Sequence, residues 1–306
     1  MRDQADRLRE IISRLKTQKE ESSPLMESTP NQKKCRVLTI TSGKGGVGKT
    51  TISVNLALSL GKMGYRVVIL DADLGLANID VLFGISPSYT LLDVIKNEKT
   101  IFDTLTEGPM NVKFISGGCG MQEMANLEKE QLESIIEKIS FLENVADIIL
   151  IDTGAGISES VIRFVLAADE VILITTPEPT SIMDAYALVK TVSYNDKNKI
   201  IQLVVNRARS EKEALHVTRK LSNAVETFLN IKPYSLGYIM YDSNIEKAIK
   251  SQEPFIISHP RTLVSRQFSE IAHKLMRVNQ DRSKNTYGLR GFLHKFINVN
   301  NASWYR

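Results

Sequence analysis

Residues Gly43 to Thr51 read Gly-Lys-Gly-Gly-Val-Gly-Lys-Thr-Thr, and this stretch constrains the chain more than any other. It satisfies the phosphate-loop pattern G-x-x-x-x-G-K-[ST], with Gly43, Gly48, Lys49 and Thr50 in the defining places. Glycines let backbone N–H groups turn inward around phosphate oxygens, and a helix starting here adds the partial positive charge of its N-terminus. The flanks suit that role. Arg36-Val-Leu-Thr-Ile-Thr41 is apolar and β-branched, which predicts a buried parallel strand. Ile52, Leu56, Leu60 and Met63 recur at helical spacing behind the loop, with Gly61 and Gly64 expected to mark the helix end. Gly43, Lys44, Gly45, Gly46, Val47, Gly48, Lys49, Thr50 and Thr51 are therefore the expected nucleotide-binding residues. Lys49 is placed to reach the β- and γ-phosphates, and Thr50 to ligate Mg²⁺. Lys44 is a second lysine that an ordinary phosphate loop does not need.

Further apolar runs predict a sheet of several strands: 67–70, 112–115, 148–151, 171–174, 201–205 and 234–239. Helical stretches lie between most of them. Short apolar strands alternating with helices imply an α/β fold with a doubly wound, mostly parallel sheet. With 306 residues, 42% of them hydrophobic, the chain can bury one large core and still carry extra segments. A net charge of +4 is too weak to imply nucleic acid by itself. Two cysteines, Cys35 and Cys119, without a CxxC pair, suit free thiols in a reducing cytosol. The N-terminus lacks an apolar signal-peptide core, and no apolar run approaches the length of a membrane span.

Three more motifs fall at predicted strand ends, where open α/β sheets place ligands. Asp71-Ala-Asp73-Leu-Gly-Leu-Ala-Asn78 follows the second strand, and Asp152-Thr-Gly-Ala-Gly156 ends the fourth. An acidic residue closing a buried run is the Walker B arrangement, which holds Mg²⁺ directly or through water. Asn206-Arg207 ends another strand, and an amide there can hydrogen-bond a base edge.

The runs Lys44 to Thr51, Asp71 to Asn78 and Asp152 to Gly156 resemble the deviant-Walker-A ATPases, the MinD/ParA group of P-loop NTPases. Within that group the chain is similar to the FlhG type, also called FleN or YlxH, which regulates flagellum number and placement. Two features narrow it. The second switch reads Asp-Thr-Gly-Ala-Gly where MinD has Asp-Ser-Pro-Ala-Gly, and Asp3-Gln4-Ala5-Asp-Arg-Leu8-Arg9 matches the D-Q-A-x-x-L-R element of FlhG. The resemblance implies an ATP- and Mg²⁺-dependent homodimer. Lys44 would reach phosphates bound by the partner subunit, as an arginine finger does, an effect on the order of 10³-fold in rate. Lys44, Lys49, Asp73 and Asp152 would be catalytic, with Asp73 orienting the attacking water. Thr50, Asp71 and Asp152 would serve the metal. Asn78 would contact the γ-phosphate or the partner, and Asn206 and Arg207, with the loop at Tyr241-Asp242, would frame adenine.

The two ends suggest a switch. In residues 1–17, Leu8, Ile11, Ile12 and Leu15 share one helical face; a polar linker follows at 18–33 and the ATPase body at 34–279. By resemblance, Asp3, Gln4, Ala5, Leu8 and Arg9 would form a partner-activating helix that stimulates the FlhF GTPase, with Gln4 orienting water. Residues 280–306 hold a polar hinge and then Leu289, Phe292, Leu293, Phe296 and Ile297 on one face, with Arg290, His294 and Lys295 elsewhere. This pattern fits an interfacial membrane helix, which the FlhG resemblance also implies, so residues 280–306 are expected to be a hinge and a C-terminal membrane-targeting helix; a terminal helix packed on the body is the lesser alternative. The expected protein is a cytoplasmic regulatory ATPase, peripherally associated with the cytoplasmic membrane. Its expected partners are FlhF and flagellar switch (C-ring) proteins, with no specific nucleic acid. A ParA-type DNA-segregation ATPase is the alternative, and would show salt-sensitive DNA binding.

Overall fold

The computed structural model describes residues 35–73, 78–117, 120–124, 127–277 and 288–298. Eight strands form one sheet: β1 (Arg36–Thr41), β2 (Val67–Ala72), β3 (Thr106–Glu107), β4 (Val112–Ser116), β5 (Ile148–Thr153), β6 (Glu170–Thr175), β7 (Ile200–Ala208) and β8 (Tyr234–Met240). Their order is β3-β4-β2-β5-β1-β6-β7-β8. All neighbours are parallel except β3, a two-residue antiparallel edge too short to show in the pattern of residues. The helices are α1 (Lys49–Lys62), α2 (Ile79–Phe83), α3 (Leu91–Ile95), α4 (Gly120–Met124), α5 (Lys129–Ser140) and α6 (Glu159–Ala167). After them come α7 (Pro179–Asn195), α8 (Glu211–Leu229), α9 (Ser243–Lys250), α10 (Phe255–Ser258), α11 (Leu263–Arg277) and α12 (Gly288–Asn298). A 3₁₀ turn, Phe141–Asn144, follows α5.

Both faces of the sheet are covered, so alternate residues of each strand serve different cores. Leu38 and Ile40 of β1 face a core shared with α1, α10 and α11, whereas Val37 faces one shared with α5, α6 and α12. A third cluster joins β6 and β7 to α6, α7 and α8. Two buried hydroxyls tie the strands to neighbouring backbone: Thr39 Oγ1 donates to the Phe164 carbonyl and Thr153 Oγ1 to the Ile40 carbonyl. Among the described residues no helix is long and apolar enough to cross a membrane. Cys35 is buried as a free thiol.

One expectation is sharpened and one changes. α1 ends at Lys62, between Gly61 and Gly64, and Gly61 in its last turn also packs closely, since a Cβ there would sit 2.0 Å from the Met110 carbonyl oxygen. The turn comes at Gly64, whose φ is +91°. The apolar stripe of α12 is not free to face lipid in this structure. Leu289, Phe292, Leu293 and Phe296 lie in the core with α5 and α6, and Ile297 packs half-buried against it. Phe164 of α6 receives them, 4.6 Å from Phe296 and 6.4 Å from Phe292 between ring centroids. At the N-terminus of α12 the Glu143 carboxylate accepts from Arg290 N (3.1 Å), where the helix dipole favours an anion. The partner-helix residues Asp3, Gln4, Ala5, Leu8 and Arg9, the linker, Cys119, the hinge at 280–287 and residues 299–306 lie outside the described residues.

Phe292 is fully buried, so Phe292→Ala should cost about 3–5 kcal/mol of stability, or less if α12 can leave its groove instead of leaving a cavity. Urea unfolding reads this directly. A midpoint equal to wild type would show that α12 adds nothing to the folded body.

Candidate functional site

β1 is the centre of the sheet, and its C-terminal end opens into the phosphate loop, which runs straight into α1. Gly48 has φ +93°, a left-handed conformation that a side chain resists, and its carbonyl accepts from Ile52 N to start the helix. Gly43 is required for another reason: a Cβ there would meet the Asp184 backbone of α7 at 2.2 Å. Ser42 Oγ closes the turn by donating to the Lys44 carbonyl at 2.8 Å, and Ser42 O accepts from Gly156 N at 2.9 Å. The second switch is thereby tied to the loop.

Strand register assembles the acidic residues. Asp71 of β2 pairs with Asp152 of β5, and Asp152 in turn lies opposite Ile40, three residues before the loop. Asp152 is 1% exposed. Ser53 Oγ donates to its Oδ1 at 2.8 Å, and the Thr50 hydroxyl lies near enough to favour its charged form. Burial pushes its pKa up to about 6 against those donors and the nearby Lys49 ammonium. Asp71 is pushed up to about 7 by burial and by the charge of Asp152. Its oxygens accept from the backbone of Asp73 (3.2 Å), Asn78 (3.0 Å) and Ile79 (3.4 Å), so it gathers both ends of the first switch. Asp73 stands at the mouth of a cavity it shares with Ala72, Gly154, Ala155 and Phe164. Lys49 is nearly buried, which lowers its pKa, while Asp152 and Asp73 pull the other way.

The expected nucleotide and metal residues therefore converge, with two refinements. Lys44 turns out of its own loop: its ammonium reaches Glu178 Oε2 at 2.8 Å and Thr180 Oγ1 at 3.0 Å, at the start of α7. That ammonium draws the exposed Glu178 carboxyl below its ordinary pKa. Asn206 and Arg207 border a cavity with Gly48, Thr51, Tyr241 and Asp242, in place to frame a base. Asp242, however, caps α9 by accepting from Asn244 N. Ser53, Glu178 and Thr180 were not foreseen. Ser53 was legible as the residue one turn beyond Lys49 and Thr50 on the same helix. Glu178 lies 134 residues from Lys44, and no local pattern announces that pairing.

Two carboxylates and a threonine hydroxyl are hard oxygen donors, the kind Mg²⁺ takes when nucleotide phosphates and waters complete its shell. The raised pKa values show a carboxylate pair short of positive charge, which a dication would supply. Among the described residues no group of three or more His, Cys, Asp or Glu gathers elsewhere as a metal cage.

The ParA family, described as "NUBPL iron-transfer P-loop NTPase", matches residues 33–276. The antiactivator FleN of Pseudomonas aeruginosa is 41% identical over 240 residues, 78% of this chain and 86% of that protein. The flagellum site-determining protein YlxH of Helicobacter pylori is 34% identical over 249 residues, 80% of this chain and 83% of that one. Among solved structures, the septum site-determining protein MinD with Mg-ADP from Pyrococcus horikoshii superposes with a TM-score of 0.64 at 25% identity, over 82% of this chain and all of that one.

The carboxyl pair makes a pH prediction for nucleotide-free protein. Both groups titrate higher in the folded chain than in the unfolded one. Their contribution to stability is therefore intact below about pH 4 and is lost as pH rises through about 6 to 7. The stability of wild type relative to Asp71→Asn should fall over that interval, read as a difference in melting temperature. A difference that stays constant from about pH 4 to 8 would refute the assignment.

Proposed function

From the premise that this chain belongs to the ParA/MinD-type P-loop NTPases, and is an ATPase, we propose that it is a membrane-associating switch that dimerises on ATP. Lys44 carries this reading. Its ammonium is held away from its own phosphate loop by Glu178 and Thr180, in a half-exposed position from which a second subunit can be reached. Lys49 cradles the bound phosphates, Thr50 with Asp71 and Asp152 holds Mg²⁺, and Asp73 orients water. The metal supplies charge neutralisation for the transferring phosphoryl group. In the dimer Lys44 exchanges Glu178 for the partner's nucleotide. An exposed ion pair is a weak, solvent-screened restraint, so phosphate oxygens in a water-poor interface can displace it.

The docked α12 would be the output. Each large apolar side chain gains roughly 1.5–3 kcal/mol on leaving water, whether for the protein core or for lipid. Release would also expose the groove that α12 covers, so ATP-driven dimerisation would have to favour the released state by several kcal/mol. Two released helices on one dimer then bind a bilayer far better than one, through effective concentration. The likeness to FleN and YlxH supports flagellum number and placement as the process served, with FlhF and flagellar switch proteins as partners at the cytoplasmic face of the membrane.

Asp73→Ala protein, slow in hydrolysis, tests the scheme by size exclusion and by sedimentation with anionic liposomes. It should be a dimer that pellets in ATP, and a monomer left in the supernatant in ADP. Removing residues 288–306 should abolish pelleting and spare the dimer. A monomer in saturating ATP would sink the reading. For the N-terminal element, full-length protein should raise GTP turnover by FlhF and Gln4→Ala should not; equal stimulation by both would remove Gln4 from that role.

A further inference from the structure

We propose that Asn206 is a positioning residue for the phosphate loop, acting through the Val47 carbonyl and separately from any contact with a base. The inference rests on the reading of residues 43–51 as the phosphate site. Asn206 lies near the C-terminal end of β7, two strands from β1, and is 5% exposed. Its Nδ2 donates to the Val47 carbonyl at 2.7 Å, and its Oδ1 accepts from Arg207 N at 2.9 Å. A carbonyl can only accept and a backbone amide can only donate, so these partners settle which end of the amide is which. Arg207 itself adopts φ +58°, so the chain takes a left-handed step directly after the Asn206 amide is fixed. Both ends of the Asn206 amide are thereby committed before any ligand arrives.

The consequence lies in the peptide plane. Across a trans peptide the carbonyl and the following N–H point in opposite directions. Holding Val47 O toward Asn206 therefore aims the Gly48 N–H the other way, to the phosphate side of the loop. Gly48 is also the residue that leaves space for the strut: a Cβ on it would lie 2.5 Å from Asn206 Nδ2. One Nδ2–H remains, and it can meet an acceptor on a purine ring.

The test uses the full chain and two variants, Asn206→Ala and Asn206→Asp, each checked for a native melting profile. Asn206→Asp matches the native shape, so it keeps the question open should Asn206→Ala fold poorly, and it sets a carboxylate oxygen against the Val47 carbonyl. Amide hydrogen exchange of the loop is measured without nucleotide, and the affinity for Mg²⁺-bound inorganic triphosphate, which has no base, is measured beside that for ATP. Losing one neutral hydrogen bond should speed loop exchange and weaken triphosphate binding by roughly 3- to 10-fold in Asn206→Ala, and by more in Asn206→Asp. Weakened ATP binding with unchanged triphosphate affinity and unchanged loop exchange would overturn the strut and leave only a base contact. Wild-type protein that binds neither ligand would instead refute the phosphate site, while the exchange data still decide whether Asn206 holds the loop.

Discussion

Two carboxylates, Asp71 and Asp152, stand side by side in the interior at the ends of paired strands, and much of the molecule is arranged around keeping them there. Parallel register between β2 and β5 brings them level. Burial of like charges is unfavourable unless donors or cations attend them. The protein answers with Thr50, Ser53 and Lys49 around Asp152, and with three backbone amides around Asp71. Those amides belong to residues 73, 78 and 79, so the first switch is organised by the same carboxylate that would sense a metal. An arrangement still short of positive charge is one that Mg²⁺ and nucleotide can complete, which is how binding acquires a conformational consequence.

The second switch runs in the other direction. Gly156 N bonds the Ser42 carbonyl beside the loop, and the chain then enters α6. Phe164 on that helix lines the cavity at Asp73 and also packs at a tilt against Phe296 of α12. The nucleotide site and the docked C-terminal helix therefore share one nine-residue helix. At the opposite end of α6, the buried Lys199 ammonium donates to the carbonyls of Leu166 and Ala168. This anchors the helix C-terminus in the manner its dipole favours. A helix fixed at one end and tied to a switch at the other is well placed to transmit small movements.

Seven of the eight strands and the loop, helix and acidic strand ends were legible from residues alone, because each is written in contiguous chemistry: apolar runs, a glycine pattern, an aspartate closing a strand. Gly61 and Gly64 bracket the end of α1 as their spacing suggested, but the close packing of Gly61 on Met110 could not be read from the chain. The stripe of Leu289, Phe292, Leu293 and Phe296 was read correctly as one apolar face. Its expected partner was a bilayer and the structure gives it a groove instead, since the two ask for the same spacing.

The sequence by itself determined that a phosphate loop would sit between a buried strand and a helix, with carboxylates at neighbouring strand ends. Those features depend on residues within a few positions of one another and on the periodicity of buried elements. Only the tertiary structure decided that Lys44 rests on Glu178, that Asn206 grips the Val47 carbonyl, and that α12 lies between α5 and α6. Each of these joins segments more than a hundred residues apart, through pairings that strand order and helix packing bring about and that no local stretch of chain encodes.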